Sequence, residues 1–202
     1  MLAKNINFVF YQFGGAVKKI ILLTLMLLGA VSAFAMEDSY KSDKKLSAFT
    51  TIIINDFDTK SMTINLLDED EMSKFKPLLP QMVKNITDTI VSKVKEHTKF
   101  KSILINNQEP QKNAVRLEGK IDEFNGGHGA AKWALGFMAP KSVKTYLSYS
   151  GKLVDVETGN VLGTFSDTNT GSLWFKDSLS YSQDMMENIG KDVFDFIENN
   201  YN

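Results

Sequence analysis

Cysteine is absent from this chain. That removes disulfides, thiolate metal sites and cysteine nucleophiles together, along with the acceptor that a bacterial lipoprotein carries directly after its signal. Arginine occurs once, as Arg116. Bidentate recognition of phosphate or carboxylate, which suits the guanidinium fork, is therefore confined to one position. Positive charge is not in excess either: the formal net charge is −1, which argues against a nucleic-acid binder. Histidine occurs twice, as His97 and His128, and a zinc site built on them would need two carboxylates as further ligands. What remains is ordinary globular material, 43% apolar and 23% charged with four prolines, so a packed core is expected.

The N-terminus carries an export pattern. Lys18 and Lys19 precede an uncharged run from Ile20 to Met36, whose apolar core is Ile20–Ala30, and Ala33-Phe34-Ala35 supplies a signal-peptidase site. Cleavage after Ala35 is expected. The uncharged run touches the lower edge of what spans a bilayer, but its apolar core is short, so no stable membrane span is expected after cleavage. Residues 1–16 fit no part of a signal peptide. A translation start at Val17 gives a compact basic-then-apolar signal, and detecting a peptide from residues 5–16 by mass spectrometry would overturn it. The processed chain keeps all 24 acidic residues and 20 of the 23 basic ones, a net charge of −4.

The remainder divides into a flexible lead-in, 36–47, and a single domain, 48–202. Ala48–Phe57, with Ile52, Ile53 and Ile54 in succession, reads as a strand covered on both faces and a candidate central strand. Asp58–Glu71 reads as a loop. Apolar residues from Met72 to Val94 recur at helical spacing, and Pro77 and Pro80 push the expected helix start to about Leu78. Lys101–Asn106, holding Ile103, Leu104 and Ile105, follows as a short strand parallel to the first, by a right-handed crossover.

Val115, Leu117, Gly119 and Ile121 then alternate with charged residues, and Phe124 falls out of phase, which places a bulge or the strand end near Glu123. Two further strands surround Glu157-Thr158-Gly159, a three-residue hairpin loop with Gly159 left-handed. In that register Val156 opposes Asn160, Leu153 opposes Gly163 and Gly151 opposes Phe165. A closing helix follows Ser180 and Gln183, which form a capping-box pattern. It is expected to cross the inward glycines Gly119, Gly151 and Gly163. The fold class is α+β: about five strands in a mixed sheet with two helices on one face, a two-layer sandwich.

Candidate chemistry is sparse. Gly126–Lys132 lacks the spacing of a phosphate loop, because Lys132 follows alanine. His97 suits a helix C-terminus without a metal. His128 has no nucleophile-elbow partner, and Asp155, Glu157 and Asp167 lack calcium-loop spacing. No catalytic residue, metal or cofactor is expected. The loop Trp133–Pro140 stands out, because Trp133, Leu135, Phe137 and Met138 occupy a connection that should be polar. They either cap the core or form a partner contact.

Several features resemble one family. They are Leu117-Glu118-Gly119-Lys120-Ile121, Phe124 before a glycine, Gly136-Phe137, Leu153-Val154-Asp155 and Glu157-Thr158-Gly159-Asn160-Val161-Leu162. Together they resemble the uncharacterised bacterial family known as domain of unknown function 4410. The resemblance implies an envelope protein with an α+β sandwich like the N-terminal domain of the Tol-system propeller protein. It brings no catalytic residues, and the lipobox cysteine common in its members is missing here. The expectation is thus an exported, periplasmic or secreted, non-enzymatic protein acting through protein–protein contact, with another envelope protein as partner. The alternative is a small-ligand binder or hydrolase using the His128 loop.

Overall fold

A computed structural model describes residues 36–127, 145–170 and 178–202. The strands are β1 (Glu37–Tyr40), β2 (Thr51–Ile54), β3 (Thr63–Asn65), β4 (Ser102–Ile105), β5 (Ala114–Asn125), β6 (Tyr146–Asp155) and β7 (Val161–Thr170). The helices are α1 (Glu69–His97), between β3 and β4, and α2 (Ser178–Asn199), after β7. The strands join in one mixed sheet of seven in the order β1-β7-β6-β5-β2-β4, with β3 pairing on β5. The α+β class holds, with two more strands than the sequence indicates. Both extras are short. β1 lies in the stretch read as a lead-in, and β3 in the stretch read as a loop. Neither carries a long apolar alternation, and each exists because a long strand offers it an edge.

The organising strand is β5. Its first half pairs in parallel with β2 and its second half with β3, while its whole length pairs antiparallel with β6. β2 is buried on both faces as its isoleucines imply, but it is second from the edge, and β5 and β6 take the centre. The β2–β4 pair is parallel, joined across α1. The bulge expected near Glu123 falls at Asp122, between the pairs Ile121–Tyr149 and Glu123–Ser148.

The hairpin register holds for Gly151 opposite Phe165 and Leu153 opposite Gly163. Beyond that point it slips by one, so Val154 faces Val161 and the Asp155 N–H bonds the Asn160 carbonyl at 2.9 Å. Val156 therefore does not oppose Asn160. The extra residue is Leu162, which takes the inward place and is buried, leaving Val161 exposed. Gly159 is left-handed at φ 72°.

α1 begins at Glu69, nine residues before the start that the prolines suggest. Asp68 and Glu71 form a reciprocal capping box, satisfying two N-terminal donors. Pro77 and Pro80 are both exposed, so the carbonyls they leave unpaired face water. Phe75 holds this first stretch down. It is fully buried and stacks on Phe124 with ring centroids 4.5 Å apart, a burial worth about 1.5–3 kcal/mol. α2 packs against α1, with Gly190 close against Thr89. Only Gly163 lies under α2, where a Cβ would meet Phe196. Gly119 and Gly151 are roofed instead by the Phe57 and Phe165 rings.

Candidate functional site

The sheet ends at β4, and this edge is the most distinctive surface among the described residues. The Ser102 N–H donates to the Thr50 carbonyl at 3.2 Å and the Asn106 N–H to the Ile54 carbonyl at 3.1 Å. Strand residues alternate in the direction of their peptide groups, so Ile103 and Ile105 turn their N–H and C=O away from β2. Among the described residues no strand pairs on that side. Natural edges are usually blunted by charge, proline or a bulge. β4 reads Ser-Ile-Leu-Ile and has none of these, and Ile105 is 49% exposed. The other edge strand, β1, begins with Glu37 and Asp38. A depression of about 770 Å³ continues the β4 edge along Leu104–Pro110.

A polar clasp fixes where β4 ends. The Asn106 side chain accepts from the Asp56 N–H and donates to Asp56 Oδ2, both at 2.8 Å. Thr87 Oγ1, buried on α1, donates to Asp56 Oδ1 at 2.6 Å. Asn106 is left-handed at φ 52°, a conformation asparagine tolerates better than most residues. The clasp ties the end of β4, the end of β2 and the middle of α1 to one level.

A second concavity, about 780 Å³, crosses β1, β7, β6 and β5, lined among others by Glu118, Lys120, Ser150, Lys152 and Ser166. Its two lysines already have partners. Lys152 lies 3.1 Å from Glu118 and Lys120 lies 2.6 Å from Asp122, which also accepts from Ser150 at 2.7 Å. The arrangement is a ladder of exposed ion pairs, each of small energetic weight.

Trp133, Leu135, Phe137, Met138 and His128 lie outside the described residues. His97 ends α1 with Nδ1 3.7 Å from Glu198 and its ring against Phe194. Asp155 is a turn former, accepting from the Glu157 N–H at 3.0 Å. Asp167 lies opposite Tyr149, six residues along β6 from Asp155, so the three acids are not brought together. Arg116 is mostly covered, with Nη1 3.9 Å from Glu118. No group of residues that could hold a metal ion occurs among the described residues, and no described helix is long and apolar enough to cross a membrane.

The family model described as Domain of unknown function (DUF4410) matches residues 52–173. The chain belongs to that family. The matched span runs from the middle of β2 past the end of β7, so it holds β4 and the central strands of the sheet but neither β1 nor α2. No curated protein matches. Among solved structures the chain is similar to a PelC dodecamer from Paraburkholderia phytofirmans, at 13% identity and TM-score 0.44, covering 77% of this chain and 97% of that one. It is also similar to XCC0632 from Xanthomonas campestris, a protein of family model DUF330, at 7% identity and TM-score 0.45, covering 83% and 93%. A third is a putative neuraminyllactose-binding hemagglutinin homolog from Helicobacter pylori, at 11% identity and TM-score 0.41, covering 80% and 88%.

Proposed function

We propose that this chain is an exported, non-enzymatic envelope protein that works by protein–protein contact, receiving an extended segment on the outer edge of β4. The observation that supports this reading is the edge itself: outward peptide groups at Ile103 and Ile105, with the Ile105 side chain exposed and no charge within the strand to repel another. Strand addition draws affinity from main-chain hydrogen bonds and specificity from alternate side chains. Export rests on the signal pattern over residues 18–35, which supports a periplasmic or secreted working protein.

The test is a photo-crosslinking residue at position 105, activated in cells, with the adduct identified by mass spectrometry. An adduct with an envelope protein is expected, and it should be lost when Ile103 is replaced by proline, which removes an outward N–H and leaves the bonds from Ser102 and Asn106 to β2 in place. A chain that stays uncrosslinked at this position, or one found in the cytoplasm with residues 18–35 intact, overturns the reading.

A further inference from the structure

We infer that the segment seated on β4 is the β4 strand of a second copy of this chain, paired antiparallel about a two-fold axis at Leu104. The inference rests on the strand-acceptor reading above and names its occupant. The geometry of the peptide groups selects the register. A hydrogen-bonded antiparallel pair exchanges both N–H···O bonds between residues that point outward on each strand, and here those are Ile103 and Ile105. Setting Ile103 opposite Ile105 of the second copy uses both residues of both chains. Leu104 then faces Leu104 across the axis, Ser102 faces Asn106, and Lys101 faces Asn107. No charge meets a like charge in this register.

The helix above the edge is complementary in the same arrangement. α1 meets α2 on the side of Thr89, where Gly190 packs, so its opposite flank looks over β4. That flank carries Lys84, Asp88, Val91 and Lys95; the three charged residues are exposed, and Asp88 pairs within the helix with Lys84 at 2.5 Å, an exposed pair of small weight that a second cation can share. Through Thr87, Asp56 and Asn106 the clasp holds Asp88 level with the Asn106 end of β4. Lys95 lies seven residues further, about 10 Å along the helix axis, or about three residues along a strand, near Ile103 at the Ser102 end. A two-fold axis at Leu104 exchanges the Asn106 and Ser102 ends. Asp88 of each copy is thereby brought to the level of Lys95 of the other. The interface is isologous, as closed dimers require, and each copy's exposed Ile105 is covered by the other's Ile103.

The absence of native cysteine makes the test clean. The full chain carrying Leu104→Cys has a single thiol, and across a non-hydrogen-bonded antiparallel pair the two Cα atoms lie within disulfide reach. Mild oxidation is expected to give a disulfide-linked dimer, whereas Lys152→Cys, on β6 and away from the β4 edge, forms no disulfide. Without any thiol, the parent chain sediments as a dimer. Ile105→Lys shifts it to a monomer that still unfolds cooperatively, with a melting temperature that no longer rises with protein concentration. Asp88→Lys weakens the dimer at least tenfold, and adding Lys95→Asp restores it. A parent chain that sediments as a monomer, with no Leu104→Cys disulfide, overturns self-pairing. If position 105 still crosslinks to a different envelope protein, the strand-acceptor reading survives that result. If it crosslinks to nothing, both readings fall.

Discussion

Tyr149 of β6 donates its hydroxyl to Asp192 of α2 across 3.1 Å, joining sheet to helix from within the core. Asp167 lies opposite Tyr149 on β7. Burial pushes the Asp192 carboxyl above its usual range; the Tyr149 bond opposes this, and Asp167 and Asp195 add to it. Burial, followed by the charges of Asp192 and Asp167, pushes the Tyr149 phenol up.

The direction of these shifts fixes the pH dependence. Asp192 binds its proton more tightly folded than unfolded, so its contribution is greatest below the unfolded carboxyl range, about pH 4. That contribution is lost as pH rises through the folded value. Asp192→Asn keeps an acceptor for Tyr149 and removes the charge. Thermal melts at pH 7 should show a gain of at most about 1 kcal/mol, the scale of a partly screened charge, and little difference from the parent at pH 4. Tyr149 is raised too, so its contribution persists to about pH 10 and is lost above it. Tyr149→Phe should flatten the alkaline limb.

Gly151→Ala should be the most damaging of the conservative changes in the sheet. Its methyl would enter the Phe165 ring and approach the Glu118 carbonyl oxygen. The ring can yield but the backbone oxygen cannot. A loss of about 1–3 kcal/mol in urea unfolding is expected, and Phe165→Leu in the same chain should recover only part of it. Gly159→Ala meets no atom within 4 Å. It should cost about 1–2 kcal/mol, from the left-handed backbone alone.

The clasp at Asp56 predicts an asymmetry. Asp56→Ala leaves the Thr87 hydroxyl buried without its partner and frees Asn106, at a cost of about 1–3 kcal/mol. Thr87→Val removes the hydroxyl itself and should cost less. Hydrogen exchange should show β4 losing protection in the first variant and retaining it in the second.

Asp68→Ala removes one half of the α1 capping box and should cost about 1 kcal/mol in thermal unfolding. Fraying should be confined to the stretch before Pro80, because the helix beyond it is held by Met82, Val83 and Ile86 in the core.

The long alternations around Gly119 and Gly151 made β5 and β6 legible in the sequence, and with them the pairing of Gly151 with Phe165. The bulge at Leu162 was hidden because Val161 and Leu162 are both apolar. Either could point inward, and only packing chose. The early start of α1 was masked by two prolines whose exposure could not be read from spacing. The candidate site was less legible still. Ser102–Ile105 was recognisable as a strand, but nothing in four residues tells an edge from a centre. That distinction comes from what lies beside it, which is a property of the whole sheet.

β1 pairs with β7, and the N–H groups of Leu46 and Ser47 bond the carbonyls of Asn200 and Tyr201. The first and last described elements thus close on each other. During synthesis, which delivers the N-terminal end first, β1 has no strand partner until β7 has emerged, and the Leu46 and Ser47 N–H groups lack their acceptors until residues 200 and 201 appear. Pairings this distant in sequence slow folding. Closure of β1 and of the Leu46 turn is therefore a late step, added to a sheet whose β2, β4, β5 and β6 pairings are nearer in sequence.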